Sequence, residues 1–240
     1  MADGDAKTTG HSWSMKLLRR LRRAPLTTVR NRLRRLAREI ADAPHEWRLG
    51  VRTGAVLWQY SGGDLQNAPC EPAPYRTLAA IDRHMSARGV PTGRFADLGT
   101  GLGRPLYAFA SRFTDLRGYE IIPAIQTMAA RQLAQVQARH PGFRAISLIC
   151  ADATVAVPLD EPVVLFLYHP FGPPPMARLC ARLREARCEL HIYYVNPVLS
   201  DMIAAAIGPP VDRFLSDFPV NYFHVPCGRP TAAQAAEKLA

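Results

Sequence analysis

From Arg94 to Pro226 this chain alternates between two hydrophobic periods, and few architectures tolerate that. The segments "RFADLG", "DLRGYEI", "FRAISLICA", "PVVLFLY" and "CELHIYYV" each read as a strand. Helical patterns fall between them, starting at Pro105, at Pro123 and at residue 174, the last running to 187. A short helix follows over 199–207, and "RFLSDF" and "NYFHVP" read as two closing strands. Strands and helices in alternation predict a parallel sheet with helices on both faces, an α/β fold. "PVVLFLY" is apolar at nearly every position, as a strand covered on both faces must be. Pro123 suits a first helical turn, and Ile125, Met128, Ala129 and Val136 mark the expected buried face. Met176, Leu179, Cys180 and Leu183 do the same for 174–187.

The residues before Arg94 obey different rules. Residues 1–12 are small and polar and read as a disordered tail. Met15, Leu17, Leu18 and Leu21 share a helical face among arginines until Pro25. A second helix is predicted from about Thr28, with Val29, Leu33, Leu36 and Ile40 as its apolar stripe. "SGGDLQNAPCEPAPY" is rich in glycine and proline and reads as loop. From Arg76 a helix carrying Leu78, Ile81 and Met85 should stop at Gly89. The predicted division is a tail over 1–12, a basic extension and loop over 13–74, the α/β domain over 75–228 and a tail over 229–240.

Of the net charge of +10, residues 1–50 carry +7, from twelve Lys or Arg against five Asp or Glu. Attraction to nucleic acid or to an anionic membrane surface is therefore a question about the extension. No apolar run approaches the ~20 residues of a membrane span, and the first residues lack the apolar core of a secretory leader. Five cysteines without CxxC spacing argue against a disulfide framework or a structural zinc site. Cys150 and Cys180 are expected in the core, and a reducing cytoplasm fits. The histidines too are scattered, so no metal site is expected.

The chemistry concentrates in "FADLGTGLGRP". Asp97 ends the first strand of the alternation, and Gly99, Gly101 and Gly103 follow at alternate positions. The dinucleotide fingerprint G-x-G-x-x-G fails, because Arg104 and Leu106 stand where its third glycine belongs. The phosphate-binding G-x-x-x-x-G-K-[ST] loop is absent as well. What remains is a turn whose backbone can come close to a ligand, at the strand end where such sheets bind ligands. Glu120 ends the second strand, placed to accept both ribose hydroxyls. Asp152 follows the third strand and can face the exocyclic amine of an adenine. Together these acids suit an adenosine ligand without phosphates.

"DLGTGLGR" with Glu120 and Asp152 resembles the class I S-adenosylmethionine-dependent methyltransferases over roughly residues 75–225. The resemblance implies a Rossmann-like, mostly parallel seven-stranded sheet and S-adenosylmethionine as cofactor. It implies that Asp97, Gly99, Thr100, Gly101 and Gly103 lie against the methionyl part. Glu120 then holds the ribose, and Asp152 with Ala153 meets the adenine.

"LYHPFG" follows the fourth strand. Amine methyltransferases often carry Asn, Asp or Ser before Pro-Pro-Tyr/Phe here, whereas this chain has His169 and one proline. A subset of small bacterial methyltransferases, some described as histone-lysine methyltransferase-like, has a similar Tyr-Asn-Pro-Phe together with a Pro-Tyr-Arg upstream, as in "APYRTL" here. That likeness implies Tyr75, Arg76, Pro170 and Phe171 on the acceptor side and Tyr168 and His169 at the reacting atoms. Neutral imidazole offers one acceptor and protonated imidazole none, so His169 is either a general base or a strand-end packing residue. Tyr75 is either a lid residue or an anchor of its helix. The acceptor, an N- or O-nucleophile, is not legible. The rival reading is a cofactor-retaining binding protein whose basic helices grip nucleic acid or anionic lipid.

Overall fold

The computed structural model describes residues 26–57 and 70–228. The predicted tails, the Met15–Leu21 helix and most of the glycine- and proline-rich loop lie outside the described residues. The chain divides into two compact units at Pro44/His45. In the first lies most of helix α1 (Leu26–Leu49), which runs on through Pro44. Its expected apolar stripe is not covered: Leu33, Leu36 and Ile40 are 60%, 52% and 65% exposed.

The second unit holds α2 (Tyr75–Ala87) and then the alternation the sequence predicts. Strands β1 (Arg94–Leu98), β2 (Asp115–Glu120), β3 (Ile146–Cys150), β4 (Val163–Tyr168) and β5 (Leu190–Val195) are parallel. Helices α3 (Arg104–Ala108), α4 (Pro123–Arg139) and α6 (Pro173–Glu185) follow β1, β2 and β4. A four-residue turn of helix, α5 (Ala153–Ala156), follows β3. After α7 (Ser200–Ile207) come β6 (Asp212–Leu215) and β7 (Pro219–Val225). The sheet order is β3-β2-β1-β4-β5-β7-β6, and β7 runs antiparallel between β5 and β6.

The period of two sorts the core residues onto the two faces. Phe95, Phe166 and Tyr193 point to one side, where they meet Phe109, Phe113 and the buried face of α2. Ala96, Leu165, Leu167, Ile192 and Tyr194 point to the other, against Met176, Leu179 and Leu183 of α6. Each such large side chain fully removed from water contributes about 1.5–3 kcal/mol, so both faces are fixed and register slips are costly.

Two smaller expectations differ. Cys180 is buried, but Cys150 is exposed, because it ends β3, the outermost strand of the sheet. On α4 the buried residues are Ile125, Ala129, Leu133 and Val136. Met128 is only partly covered and packs with Ile125, Leu57 and Leu102. The order of strands reverses between β1 and β4, and the crevice at such a switch point is where open α/β sheets bind ligands.

Candidate functional site

The glycine turn leaves β1 at this crevice. Gly99, Gly101 and Gly103 all have left-handed φ, at 78°, 54° and 83°, which a Cβ would penalise by roughly 1–2 kcal/mol at each position. The turn is tied down on both sides. The N–H groups of Gly99 and Thr100 both donate to the Tyr119 carbonyl at 2.9 Å, and Gly103 N–H donates to the Thr100 carbonyl at 2.8 Å. A Cβ on Gly99 would lie 2.6 Å from Cβ of Pro170, and one on Gly101 would lie 2.6 Å from Sγ of Cys70.

Three acids gather around this turn. Asp97 is 2% exposed and accepts a 2.7 Å hydrogen bond from the Thr100 hydroxyl. Burial pushes its carboxyl up to about 7, aided by the charge of Glu120 and only partly opposed by Thr100. Glu120 accepts from Gly101 N–H at 3.1 Å and from Ile122 N–H at 3.0 Å. Its burial raises the carboxyl despite these donors. Asp152 caps α5: its Oδ1 accepts from Thr154 N–H at 2.9 Å and from the Thr154 hydroxyl at 2.7 Å. Its Oδ2 pairs with Arg178 at 3.1 Å. Partial burial would raise this carboxyl, but the Thr154 and Arg178 contacts outweigh it and hold it low.

A cleft of about 760 Å³, counting its open mouth, brings Gly99, Glu120, Asp152 and Ala153 together with Pro170 and Phe171. Ile121, Ile122 and Phe171 supply apolar wall beside the Glu120 carboxylate. A smaller cavity of about 350 Å³ beside it reaches Asp97 and Thr100, and the two share Cys70, Gly99 and Tyr168. An apolar slot with a carboxylate at its edge suits a nucleoside, and a second chamber lined by an acid suits a positively charged tail.

Other expected residues lie elsewhere. His169 has a left-handed φ of 41°, and its Nδ1 lies 3.1 Å from the Tyr194 hydroxyl. It is not among the residues lining either cavity, and burial lowers its pKa, keeping the ring neutral near pH 7. Its neighbour Tyr168 does line both. Tyr75 is buried, stacked on His45 with centroids 4.5 Å apart, and the Arg104 guanidinium sits 4.8 Å over its ring. Arg76 is exposed. Neither residue lines the two cavities that hold Tyr168, and Tyr75 is buried at the start of α2.

Several site residues carried no signal in the sequence. Buried Arg104, at the end of the glycine turn, bonds Glu46 at 2.7 Å, the Thr53 hydroxyl at 2.8 Å and the Ala73 carbonyl at 3.2 Å. It ties residues 46–53 to the turn. Cys70 faces Glu120 and Asp97, and burial together with those charges pushes its thiol up to about 12. Ile121 and Ile122 had a readable signal, since they follow Glu120 directly.

No family model matches this chain, and no curated protein does. Solved structures do resemble it. An RNA methyltransferase from Salinibacter ruber, in complex with S-adenosyl-L-homocysteine, is 18% identical over 65% of this chain and 94% of its own, with a TM-score of 0.44. Magnesium protoporphyrin IX methyltransferase from Synechocystis PCC 6803, with bound SAM, is 13% identical over 62% and 77%, at 0.47. The ribosomal protein L11 methylase of Lactobacillus delbrueckii subsp. bulgaricus is 15% identical over 65% and 80%, at 0.45. The seven strands among the described residues, six running one way and β7 against them beside β5, form a Rossmann-like α/β sheet. The turn after β1 and the acid ending β2 flank its switch point, which is where Gly99–Gly103 and Glu120 stand.

Proposed function

We propose that this chain is an S-adenosylmethionine-dependent methyltransferase acting on an N- or O-nucleophile. The observation that carries the reading is Glu120. Its carboxylate is buried at the end of β2, inside the cleft and against the glycine turn. A carboxylate there accepts two hydroxyl donors, as a ribose offers. The residues present also fit the rest of the cofactor. Gly99 and Gly101 leave backbone where side chains would intrude, Ile121, Ile122 and Phe171 can flank a purine, and Asp97 lines the chamber suited to a cationic amino acid tail.

When bound, the cofactor supplies a sulfonium that already activates the methyl carbon. The chain's own task is then orientation and exclusion of water. In this reading Tyr168 and Pro170, which line the cleft, border the acceptor. No proton-accepting side chain among the described residues is required if the nucleophile is a neutral amine. His169 acts in this reading as a packing residue that fixes the "HPF" turn through Tyr194.

The test is calorimetric titration of the purified chain with S-adenosylmethionine and S-adenosylhomocysteine. Saturable binding lost in Glu120→Ala supports the reading. A folded chain that binds neither ligand overturns it.

A lipid partner is favoured by one observation. Leu33, Leu36 and Ile40 are exposed on α1 alongside Arg32, Arg34, Arg35 and Arg38, the make-up of a helix that lies on an anionic surface. Co-sedimentation with phosphatidylserine vesicles, lost in Leu36→Glu, tests it. A duplex RNA competitor that binds equally well would favour nucleic acid instead. Among the described residues no helix is long and apolar enough to cross a membrane. Five free cysteines favour the cytoplasm as the place of action.

A further inference from the structure

We propose that Glu189, His191 and His224 form a binding site for a divalent transition metal of the zinc type, at the end of the sheet remote from the cleft. The three residues meet through sheet pairing. His191 of β5 stands directly opposite His224 of β7, and Glu189 precedes β5 on the same face as His191, two residues away. Their donor atoms lie within 4.8 Å of one another. Glu189 Oε1 is 3.3 Å from His191 Nε2 and 3.0 Å from His224 Nε2. Tetrahedral zinc with bonds of about 2.0–2.2 Å to nitrogen and oxygen places its ligand atoms roughly 3.3 Å apart, which the Glu189–His191 separation meets while the Glu189–His224 one is slightly shorter. The imidazole rings are stacked, with centroids 4.7 Å apart. His224 is one-third exposed, and its ring is free to tilt toward a shared ion.

A second, independent feature points to a ligand. His191 Nε2 is buried on a residue only 7% exposed, makes no well-formed hydrogen bond and has the Glu189 carboxylate 3.3 Å away inside the cluster. Leaving a buried polar atom unsatisfied costs about 1–3 kcal/mol. Its other nitrogen, Nδ1, lies 2.7 Å from the Tyr222 hydroxyl. With the proton on Nδ1, that oxygen accepts it and Nε2 presents a lone pair, the arrangement by which outer partners orient metal-bound histidines. Two histidines and one carboxylate leave a fourth position for water, and the partial exposure of Glu189 and His224 opens it to solvent. Roughly 13 Å of extended strand separates His191 from the carboxyl end of β5. The ion therefore clamps β5 to β7 and takes no part in the cleft chemistry.

The experiment uses the full chain, stripped with EDTA and kept reduced, and titrates it with zinc chloride. The readouts are calorimetric stoichiometry and the midpoint of thermal unfolding. The expected result is one zinc per chain and a raised midpoint. His224→Ala, at a partly exposed position, abolishes both while leaving the circular dichroism spectrum intact. Tyr222→Phe weakens zinc about tenfold. Cobalt in place of zinc gives a tetrahedral visible spectrum without thiolate charge transfer. Absence of binding to the wild-type chain overturns the proposal. So does binding that survives His224→Ala, which would put the ion on other groups such as the cysteines. The outcome is independent of whether the cleft binds S-adenosylmethionine.

Discussion

Pro170 occupies the space that a side chain on Gly99 would need. A Cβ there would lie 2.6 Å from Cβ of Pro170, so the turn after β1 and the turn after β4 fit only while Gly99 stays bare. Gly99→Ala is expected to push the "HPF" turn outward and destabilise the fold by about 1–3 kcal/mol. Urea unfolding reads the stability. Turnover should fall more than cofactor affinity, since Pro170 is the residue proposed to border the acceptor.

Gly101 has a different neighbour. Gly101→Val introduces a Cβ against Cys70 and a β-branched residue at φ 54°. Cofactor binding is expected to vanish calorimetrically. Removing the thiol as well, in Cys70→Ala with Gly101→Ala, relieves the clash but not the backbone strain, and should restore binding only in part.

Glu120→Gln keeps the shape but removes the charge. Loss of charge-assisted hydrogen bonds worth about 1.5–3 kcal/mol predicts a roughly 10- to 100-fold weaker titration with S-adenosylhomocysteine. One amide oxygen cannot serve both the Gly101 and the Ile122 N–H, so one of them faces an NH2 group and the thermal midpoint should fall as well.

Asp97 makes the protein sensitive to pH. Its carboxyl is raised by burial to about 7 from an ordinary value of 3.8. Between these values the native state holds a proton that the unfolded chain releases, so stability falls as pH rises from about 4 to about 7 and then levels off. Asp97→Asn should flatten that slope in urea unfolding series. A cationic ligand favours the ionised form, so S-adenosylmethionine binding near pH 6 should release a proton. Titrations in buffers of different ionisation enthalpy measure it.

Arg104 and Glu46 form a buried pair at 2.7 Å. Glu46→Ala takes the carboxylate away from the buried guanidinium, and removing one partner of a buried pair costs about 3–5 kcal/mol. Equilibrium unfolding checks it, and the loss should appear as a loosening of residues 46–53 in hydrogen exchange.

The sheet was legible because its punctuation is local. Pro123 opens α4 at its first turn, and Gly89 ends the α2 region with a φ of 63°. Gly99, Gly101 and Gly103 mark the turn that matters. The acids were legible because each sits at a strand end. Contacts made across the fold were not. Glu46 meets Arg104 from 58 residues away, and His191 meets His224 only because β7 returns antiparallel beside β5. α1 runs on through Pro44 to Leu49, past Ile40, the last residue of its predicted stripe. The stripe Leu33–Leu36–Ile40 had the period of a buried face, but periodicity reports amphipathicity and not what covers it.

The position of β7 bears on how the chain comes to be made. Among the described residues, the strand that comes last in the sequence is not the last in the sheet, because it inserts between β5 and β6. Until residue 225 has left the ribosome, the nascent chain carries β5, whose residues are all buried in the finished protein, as a bare edge of apolar side chains and unpaired amides. Such an edge invites pairing with other chains. Truncations short of β7 should therefore aggregate rather than lose one activity, because they leave that edge without its partner.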